Sequence, residues 1–270
     1  MPLSRSAWGT VSLGVLLYGT AAPAQLTLNQ ADRPGQSTPP VVIPKGTLQV
    51  EAGVELERET GGDGPDTDTL TAPDLLLRVS IAEPVELRLR MDGLEYQFRD
   101  GASDRALASD FGIATKAELF PQQGLRPFTG LLVALSFPVG SEAISSGGFD
   151  PEIAGLFQWD LGERTELVFN TVFAVPTQGS DDDRRIFQFD PRLSLDRAIT
   201  RNIGAFIEYY GEIKAGGEAD THSLDGGISW RVGDRRIQLD LSGGGGLVEA
   251  APDWFVAAGV SMRFQAPWAP

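Results

Sequence analysis

The sequence predicts an all-β protein, a transmembrane antiparallel up-and-down β-barrel of about twelve strands. Apolar and polar residues alternate with period two almost everywhere after Thr47. Connections between the alternating runs are long and short in turn, as in outer-membrane barrels. Aromatic residues on the apolar parity gather near the ends of the runs, where rings meet the membrane interface. Together these three patterns predict that strands, rather than helices, hold the chain in a membrane.

The amino terminus predicts a secretory signal over residues 1–24. Arg5 precedes an apolar stretch, residues 7–22, and Ala22-Pro23-Ala24 has the small-residue pattern of a signal peptidase site. A retained membrane anchor is the alternative, but the run is short and is interrupted by glycine and serine. Loss of Arg5 takes the net charge from −15 to about −16, which disfavours nucleic-acid partners.

Residues 25–46 are rich in proline, glutamine and threonine and include the stretch RPGQSTPPVVIP. Such a composition predicts a flexible periplasmic segment with no part in a core.

The barrel itself is predicted over residues 47–264, with a carboxy-terminal extension at 265–270. The candidate strands lie near residues 47–58, 74–82, 85–96, 109–120, 126–137, 150–161, 165–174, 186–196, 201–212, 222–232, 236–246 and 254–264. Long polar connections such as TGGDGPDTDTLTAP follow the odd strands, and tight links such as GER and GDR follow the even ones. A soluble sandwich has no reason to sort its loops to two ends in this way.

The stretch DLLLRVSIAEPVELRLRMDG, residues 74–93, indicates which face is outside. One parity carries leucine, valine, isoleucine and methionine, and the other carries arginine, serine, glutamate and aspartate. In a barrel that crosses a membrane, the apolar face must meet lipid and the charged face must look into the lumen. The predicted membrane-interface aromatics on the outward parity are Phe111, Phe137, Trp159, Phe173, Phe187, Tyr209, Trp230, Trp254 and Phe264.

The inward parity supplies a charged lumen in which acidic residues outnumber basic ones. The candidate solute path is lined by Glu55, Arg78, Glu86, Arg88, Arg90, Lys116, Glu118, Asp190, Arg192, Phe206, Glu208, Tyr210, Asp225, Arg231 and Asp240. Surplus acids favour cations or neutral solutes over anions. Buried charges must pair or stay hydrated, so a lumen closed by its own ion pairs is the other interpretation.

Glu208 illustrates the same choice. With Phe206 and Tyr210 it places acidic and aromatic groups on one inward wall, which could form a surface for an aromatic or amphipathic solute. Alternatively, its carboxylate pairs with Arg192 of the neighbouring strand.

Enzyme chemistry is not predicted, and neither is a cofactor or a metal. A phospholipase-like site needs serine and histidine on one surface, whereas His222 and Ser223 are adjacent and point to opposite faces of a strand. The acidic loops GGDGPDTDT and SDDDRR lack the EF-hand register and are predicted to be solvated, with cation bridging to lipopolysaccharide as the alternative. The run Gly243–Gly246 has no phosphate-binding context and is predicted to permit bending or close packing.

Several motifs resemble the outer-membrane transporter family named for the meta pathway of phenol degradation. They are FGIATKAELF, LLVALSFPVG, NIGAFIEYYGE and the segment from His222 to Phe264, with Asp225-Gly226-Gly227 as one of its recurring signatures. The resemblance spans residues 70–264 and implies an outer-membrane channel of a Gram-negative bacterium without established catalytic residues.

We therefore expect a channel or transporter for small neutral or cationic organic solutes, aromatic compounds among them. Its expected partners are the solute, outer-membrane lipid, lipopolysaccharide and the outer-membrane insertion machinery. The alternative is a non-transporting barrel with a sealed lumen and a surface, structural or adhesion role.

Overall fold

The computed structural model describes residues 31–60, 66–101, 104–178, 184–232 and 236–266. The signal predicted at residues 1–24 lies outside these residues, as does residue 267 onward. In the described part of the chain, no helix is long and apolar enough to cross a membrane.

Apolar and polar residues alternate along the chain, and in a strand the side chains of successive residues point to opposite faces of the sheet. The alternation therefore suits long strands with one apolar and one polar face. The strands are β1 (Thr47–Glu59), β2 (Thr67–Ala82), β3 (Val85–Met91), β4 (Leu94–Arg99), β5 (Arg105–Ala108), β6 (Phe111–Phe120), β7 (Phe128–Phe137), β8 (Asp150–Asp160), β9 (Thr165–Ala174), β10 (Gln188–Ala198), β11 (Ile203–Lys214), β12 (Thr221–Val232), β13 (Ile237–Gly246) and β14 (Trp254–Gln265).

The sheet closes on itself. Strands that are adjacent in the sheet pair antiparallel, in the order β1-β14-β13-β12-β11-β10-β9-β8-β7-β6-β3-β2-β4-β5, and β1 pairs with both β2 and β14. Because β4 continues the course of β3 and β5 leads into β6, the wall contains twelve strand positions, as the sequence predicts. Closure pairs both edges of the strands along the apolar belt, where hydrocarbon would not tolerate an unpaired edge, whereas β5 at the long-loop end pairs with β4 alone among the described strands.

The predicted long loop at residues 60–73 is partly wrong. Residues from Thr67 onward belong to β2, and Thr67 to Ala72 pair with β4. Strand β4 in turn pairs with β5, so a hairpin extends the wall at the long-loop end. The sequence TDTLTA alternates β-branched threonine with other residues, a pattern that suits a strand, and Thr69 is buried in it. Its polarity equally fits a loop, which is what the sequence predicts there.

Gly93 marks the break between β3 and β4. Its φ of +88° belongs to the left-handed region, which favours glycine. A Cβ at this position would lie 2.4 Å from the carbonyl oxygen of Pro73. The predicted continuous strand 85–96 is therefore interrupted where the neighbouring backbone approaches most closely.

The outward face of the barrel is apolar, as predicted. Leu89 is 43% exposed and Val133 is 49% exposed. In contrast, Arg78 and Lys116 of the opposite parity are 1% and 0% exposed. Burial is thus inverted relative to a soluble protein, with charged groups inside and large apolar side chains outside.

Candidate functional site in the lumen

The lumen is not empty, because residues 31–46, here called the lumen segment, run across it. The segment enters from the short-turn end, where the Gly46 amide donates to the Ser80 carbonyl at 2.8 Å. From there it passes β6, β9 and β11 in turn and returns to β1. Its two ends meet, because Asp32 and Ile43 both contact charged groups on β1 to β3. The segment therefore forms a loop that lies across the channel axis.

The expectation that residues 25–46 take no part in a core is wrong for residues 31–46. Ile43 is 0% exposed and Val42 is 8% exposed. A proline-rich chain has little conformational freedom to lose and few backbone donors to satisfy, so ordering it inside a barrel costs less than ordering an average segment.

Arg78 and five charged groups around it form what we call the ion cluster. The Arg78 guanidinium lies 2.9 Å from Asp32 Oδ1, 2.9 Å from Glu51 Oε1 and 2.8 Å from Glu86 Oε1. Arg88 pairs with Asp32, and Lys116 Nζ lies 3.8 Å from Glu86. The cluster thus contains Asp32, Glu51, Glu86, Arg78, Arg88 and Lys116. Three carboxylates balance three cations, and the lumen segment supplies one of the three carboxylates.

Arg33 attaches the lumen segment to the adjoining part of the wall, formed by β1, β2, β13 and β14. Its guanidinium pairs with Asp74 at 2.7 Å and with Asp240 at 3.4 Å. The group lies over Gly53 and Gly259, which face each other across β1 and β14. A Cβ at either glycine would come within 2.2 Å of an Arg33 side-chain atom, so the missing side chains make room for the guanidinium.

Backbone groups of the lumen segment satisfy several inward polar side chains. Glu208 accepts the amides of Gln36 and Ser37, both at 2.6 Å. Asn170 accepts the Thr38 amide at 2.7 Å and donates to the Thr38 carbonyl at 2.9 Å. Buried polar groups require such partners, so the wall and the segment complete one another.

Further bonds hold the carboxy-terminal half of the lumen segment. Glu118 accepts the Val42 amide at 2.8 Å and Glu86 accepts the Ile43 amide at 2.9 Å. Lys116 Nζ donates to the Pro39 carbonyl at 3.2 Å.

The structure adds a contact that the two interpretations of Glu208 did not include. The carboxylate binds the lumen segment, and the Arg192 guanidinium donates to the Gln36 carbonyl at 2.7 Å. Arg192 faces Tyr210 in the β10–β11 register, whereas Glu208 faces Ser194. The two charged groups therefore reach the same stretch of the segment from different levels of the wall.

The predicted lining residues fall into three groups by the exposed fraction of each residue. Buried residues are Arg78, Glu86, Arg88, Lys116, Asp190, Glu208, Asp225, Arg231 and Asp240. Partly buried residues are Glu55, Glu118, Arg192, Phe206 and Tyr210. Arg90 is different, because its side chain is 62% exposed at the long-loop end and pairs with Asp92 at 2.5 Å.

One side of the lumen is apolar, which the parity analysis did not single out. The inward residues of β7, β8 and β9 include Leu132, Leu156 and Val172, which are buried together with Ala154.

A cleft with an empty volume of about 470 Å³, continuous with solvent, lies between the lumen segment and β9 to β12. Phe206, Glu208 and Asp196 are among the residues that line it.

The predicted interface aromatics lie on the outward parity and are exposed or partly exposed. Phe173, Phe187, Trp230, Trp254 and Phe264 are at least 40% exposed. Partial exposure is found for Phe111, Phe137, Trp159 and Tyr209. Several of these rings contact each other, as Phe111 and Phe137 do with centroids 5.7 Å apart.

His222 and Ser223 face opposite sides of β12, as predicted. Ser223 is 2% exposed on the inward face, whereas His222 Nδ1 lies 2.8 Å from the Tyr209 hydroxyl. Within the described ranges, no group of three or more histidine, cysteine, aspartate or glutamate residues is arranged to hold a metal ion. Residues 61–65 and 179–183 of the two acidic loops lie outside those ranges.

The fold and lumen define a class, the closed antiparallel barrels with an outward apolar belt and a polar interior. In sequence, residues 31–264 match the family described as putative MetA-pathway of phenol degradation. The chain belongs to this family. Among curated proteins, no match to the chain was found.

Solved structures show the same fold at low identity. An outer membrane channel from Pseudomonas putida F1 is 13% identical, with a TM-score of 0.64 over 86% of this chain and 99% of that one. The translocator domain of autotransporter NalP from Neisseria meningitidis is 10% identical, with a TM-score of 0.54 over 82% and 90% of the chains. The NanC porin is 10% identical, with a TM-score of 0.52 over 80% and 98%.

Proposed function

We propose that this protein is an outer-membrane channel for small neutral or cationic organic solutes, aromatic compounds among them. In this proposal the lumen segment narrows the path without closing it. The proposal is carried by one observation, the unequal charge that remains on the lumen wall outside the neutral ion cluster.

That remaining charge is mainly negative. Glu55, Asp190, Glu208, Asp225 and Asp240 face the lumen against a smaller number of cations, Arg33 and Arg192 among them. Carboxylates that line a narrow passage raise the local concentration of cations and repel anions. Phe206, which lines the cleft together with Glu208, offers a surface for the organic part of a solute, as binding sites for small molecules commonly do.

A second candidate function is favoured by the lumen segment itself. Its hydrogen bonds and ion pairs reach most of the circumference, which supports a sealed barrel with a surface, structural or adhesion role. The two candidates differ in whether ions cross the barrel at all.

Single-channel recording in planar bilayers tests the proposal. The wild-type barrel should show a small steady conductance, and in a KCl gradient its reversal potential should indicate cation selectivity. A variant without residues 32–43 should conduct several times more current, because the obstruction is gone. Absence of current in the wild type at every voltage would favour the sealed barrel, and anion selectivity would overturn the proposed solute class.

Glu208→Gln separates lining from anchoring within the same assay. The substitution removes one negative charge and weakens two acceptor bonds to the lumen segment. Reduced cation selectivity with larger current noise is the expected result. Unchanged selectivity and noise would remove Glu208 from the path.

Residence in the outer membrane is part of the same proposal. The outward apolar belt would face lipid, with lipopolysaccharide at the long-loop end, and the insertion machinery would assemble the barrel. Cell fractionation tests this directly, since the protein should leave the outer-membrane fraction only with detergent.

Growth on a panel of aromatic and aliphatic carbon sources, with and without the gene, tests the solute class.

A further inference from the structure

The carboxylate of Asp225 is a buried charged group for which the structure describes no hydrogen bond or ion pair to the lumen segment. Asp225 lies on the inward face of β12 and is 6% exposed. Its Oδ1 atom has no hydrogen-bond partner among the described residues. An ionised carboxylate in this condition is costly unless a cation or a proton accompanies it.

The neighbours of Asp225 make that cost larger. Asp225 sits directly opposite Glu208 in the β11–β12 register, and like charges in such a pair destabilise a sheet. Glu55 faces Ala257 in the β1–β14 register, one inward position from Phe255. It adds to the negative charge around Asp225. Glu208 obtains its donors from Gln36 and Ser37 of the lumen segment. Asp225 receives no such donor at Oδ1.

Aromatic rings lie beside the same carboxylate. The rings of Tyr210 and Phe255 are 6.4 Å apart between centroids, with an interplanar angle of 57°. Gly244 separates Phe255 from Asp225, since a Cβ at Gly244 would lie 2.6 Å from Asp225 Cβ and 2.7 Å from Phe255 Cζ. The glycine run that was predicted to allow close packing thus brings a ring edge against the acid.

We propose that Asp225, Glu55 and the rings of Tyr210 and Phe255 form a subsite for the ammonium group of an organic cation. A carboxylate beside aromatic rings is the combination that recognises ammonium groups. Within the part of the chain that the structure describes, Asp225 and Glu55 belong to no group of side chains arranged to hold a metal ion. The inference rests on the proposed function and names the solute class as organic ammonium ions.

Calorimetric titration of the detergent-solubilised barrel tests the subsite without requiring ion flow. Benzylammonium chloride is the probe, and benzyl alcohol is its neutral counterpart of similar size. The wild type should bind benzylammonium about tenfold more tightly than benzyl alcohol, because only the cation gains a charged hydrogen bond. Equal affinity for the two probes would overturn the proposal.

Asp225→Asn should abolish this preference while leaving the affinity for benzyl alcohol unchanged. The matched control is Asp150→Asn, which removes a carboxylate outside the predicted solute path that accepts the Thr177 amide at 2.9 Å. This control should change benzylammonium affinity by less than about threefold, since Asp150 is not part of the subsite. A preference that survives Asp225→Asn would contradict the assignment.

Folding of each variant is checked by the shift in gel mobility on heating that intact barrels show. If Asp225→Asn does not fold, Tyr210→Leu provides the test, because it removes one ring and keeps every charge. Benzylammonium affinity should fall about fivefold in Tyr210→Leu, and an unchanged affinity would reject the subsite. Since binding is measured in detergent and conductance in bilayers, failure of one proposal does not imply failure of the other.

Discussion

At the scale of single residues, Asp32 is the group on which the position of the lumen segment depends most. It contributes one of three carboxylates to a buried cluster that holds three cations. Removing one partner from a buried ion cluster leaves an uncompensated charge, which costs far more than a surface ion pair contributes.

We expect Asp32→Asn to lower the free energy of unfolding of the refolded barrel by about 3 kcal/mol, measured by urea titration. Asp253→Asn is the matched control, because Asp253 accepts the Thr60 amide at 2.8 Å in an exposed loop. Its cost should stay below about 1 kcal/mol.

A double variant distinguishes charge imbalance from general damage at this site. Lys116→Met removes one cation and, combined with Asp32→Asn, restores the balance of the cluster. The double variant should be more stable than the sum of the two single effects predicts. Strict additivity would contradict our description of the cluster as a single electrostatic unit.

Residue patterns in the sequence identified the charged wall but not its partner. Parity alone placed Arg78, Glu86 and Lys116 in the lumen, because a strand has only two faces. It could not show that Asp32 joins them, since residues 31–46 have no periodicity that relates them to a strand. The inward glycines Gly53, Gly130 and Gly259 were the available signal. Glycine within a strand often marks the close approach of another backbone.

At the scale of elements, the lumen segment and the barrel wall fit each other through those glycines. The Arg33 guanidinium occupies the space above Gly53 and Gly259. If a side chain were added at either glycine, the long and flexible side chain of Arg33 could move away from it, whereas the paired wall strands could not.

Gly53→Ala should therefore displace Arg33 from Asp74 without unfolding the barrel. The loosened segment should raise the mean conductance of single channels about twofold or more. Gly112→Ala is the control on another wall strand, because a Cβ at Gly112 has no neighbour closer than 3.8 Å. Equal conductance in Gly53→Ala and wild type would show that Arg33 does not restrain the segment.

The hairpin of β4 and β5 shows where element prediction from sequence fails. Threonine-rich stretches such as residues 67–72 satisfy the polarity of a loop and the propensity of a strand equally well. The choice depends on whether a partner strand is present, and local sequence does not contain that information. The membrane strands were easier to locate, since lipid on one face and water or protein on the other enforces a strict alternation.

At the scale of the whole molecule, the barrel has exchanged the usual positions of apolar and charged residues. Outward leucine and valine side chains are well exposed in the isolated chain, and the buried interior contains arginine, lysine and glutamate. Such a molecule is stable only where lipid covers the outside.

Cysteine labelling tests this orientation on neighbouring residues of β7. The chain has no cysteine of its own, so each introduced thiol reports on one position. In liposomes, Val133→Cys should react with a lipid-soluble maleimide and resist a membrane-impermeant one, because Val133 is outward and 49% exposed. Leu132→Cys, which points inward, should not react with the lipid-soluble reagent. The reverse pattern would refute the barrel orientation.

The central claim is that residues 31–46 lie inside the barrel. It is tested most directly by a disulfide between Pro40→Cys and Gly130→Cys. A Cβ at Gly130 lies 2.9 Å from Pro40 Cβ, so a small shift reaches the 3.5–4.5 Å separation of a disulfide. Pro40→Cys with Val133→Cys is the control, because the second thiol is on the outside of the same strand.

The account predicts that mild oxidation in intact outer membranes cross-links Pro40→Cys to Gly130→Cys and not to Val133→Cys, as detected by gel mobility after unfolding. If the Pro40→Cys and Gly130→Cys pair stays reduced while the Pro40→Cys thiol reacts freely with a bulky water-soluble maleimide added from the periplasmic side, the lumen segment lies outside the barrel and the account is contradicted.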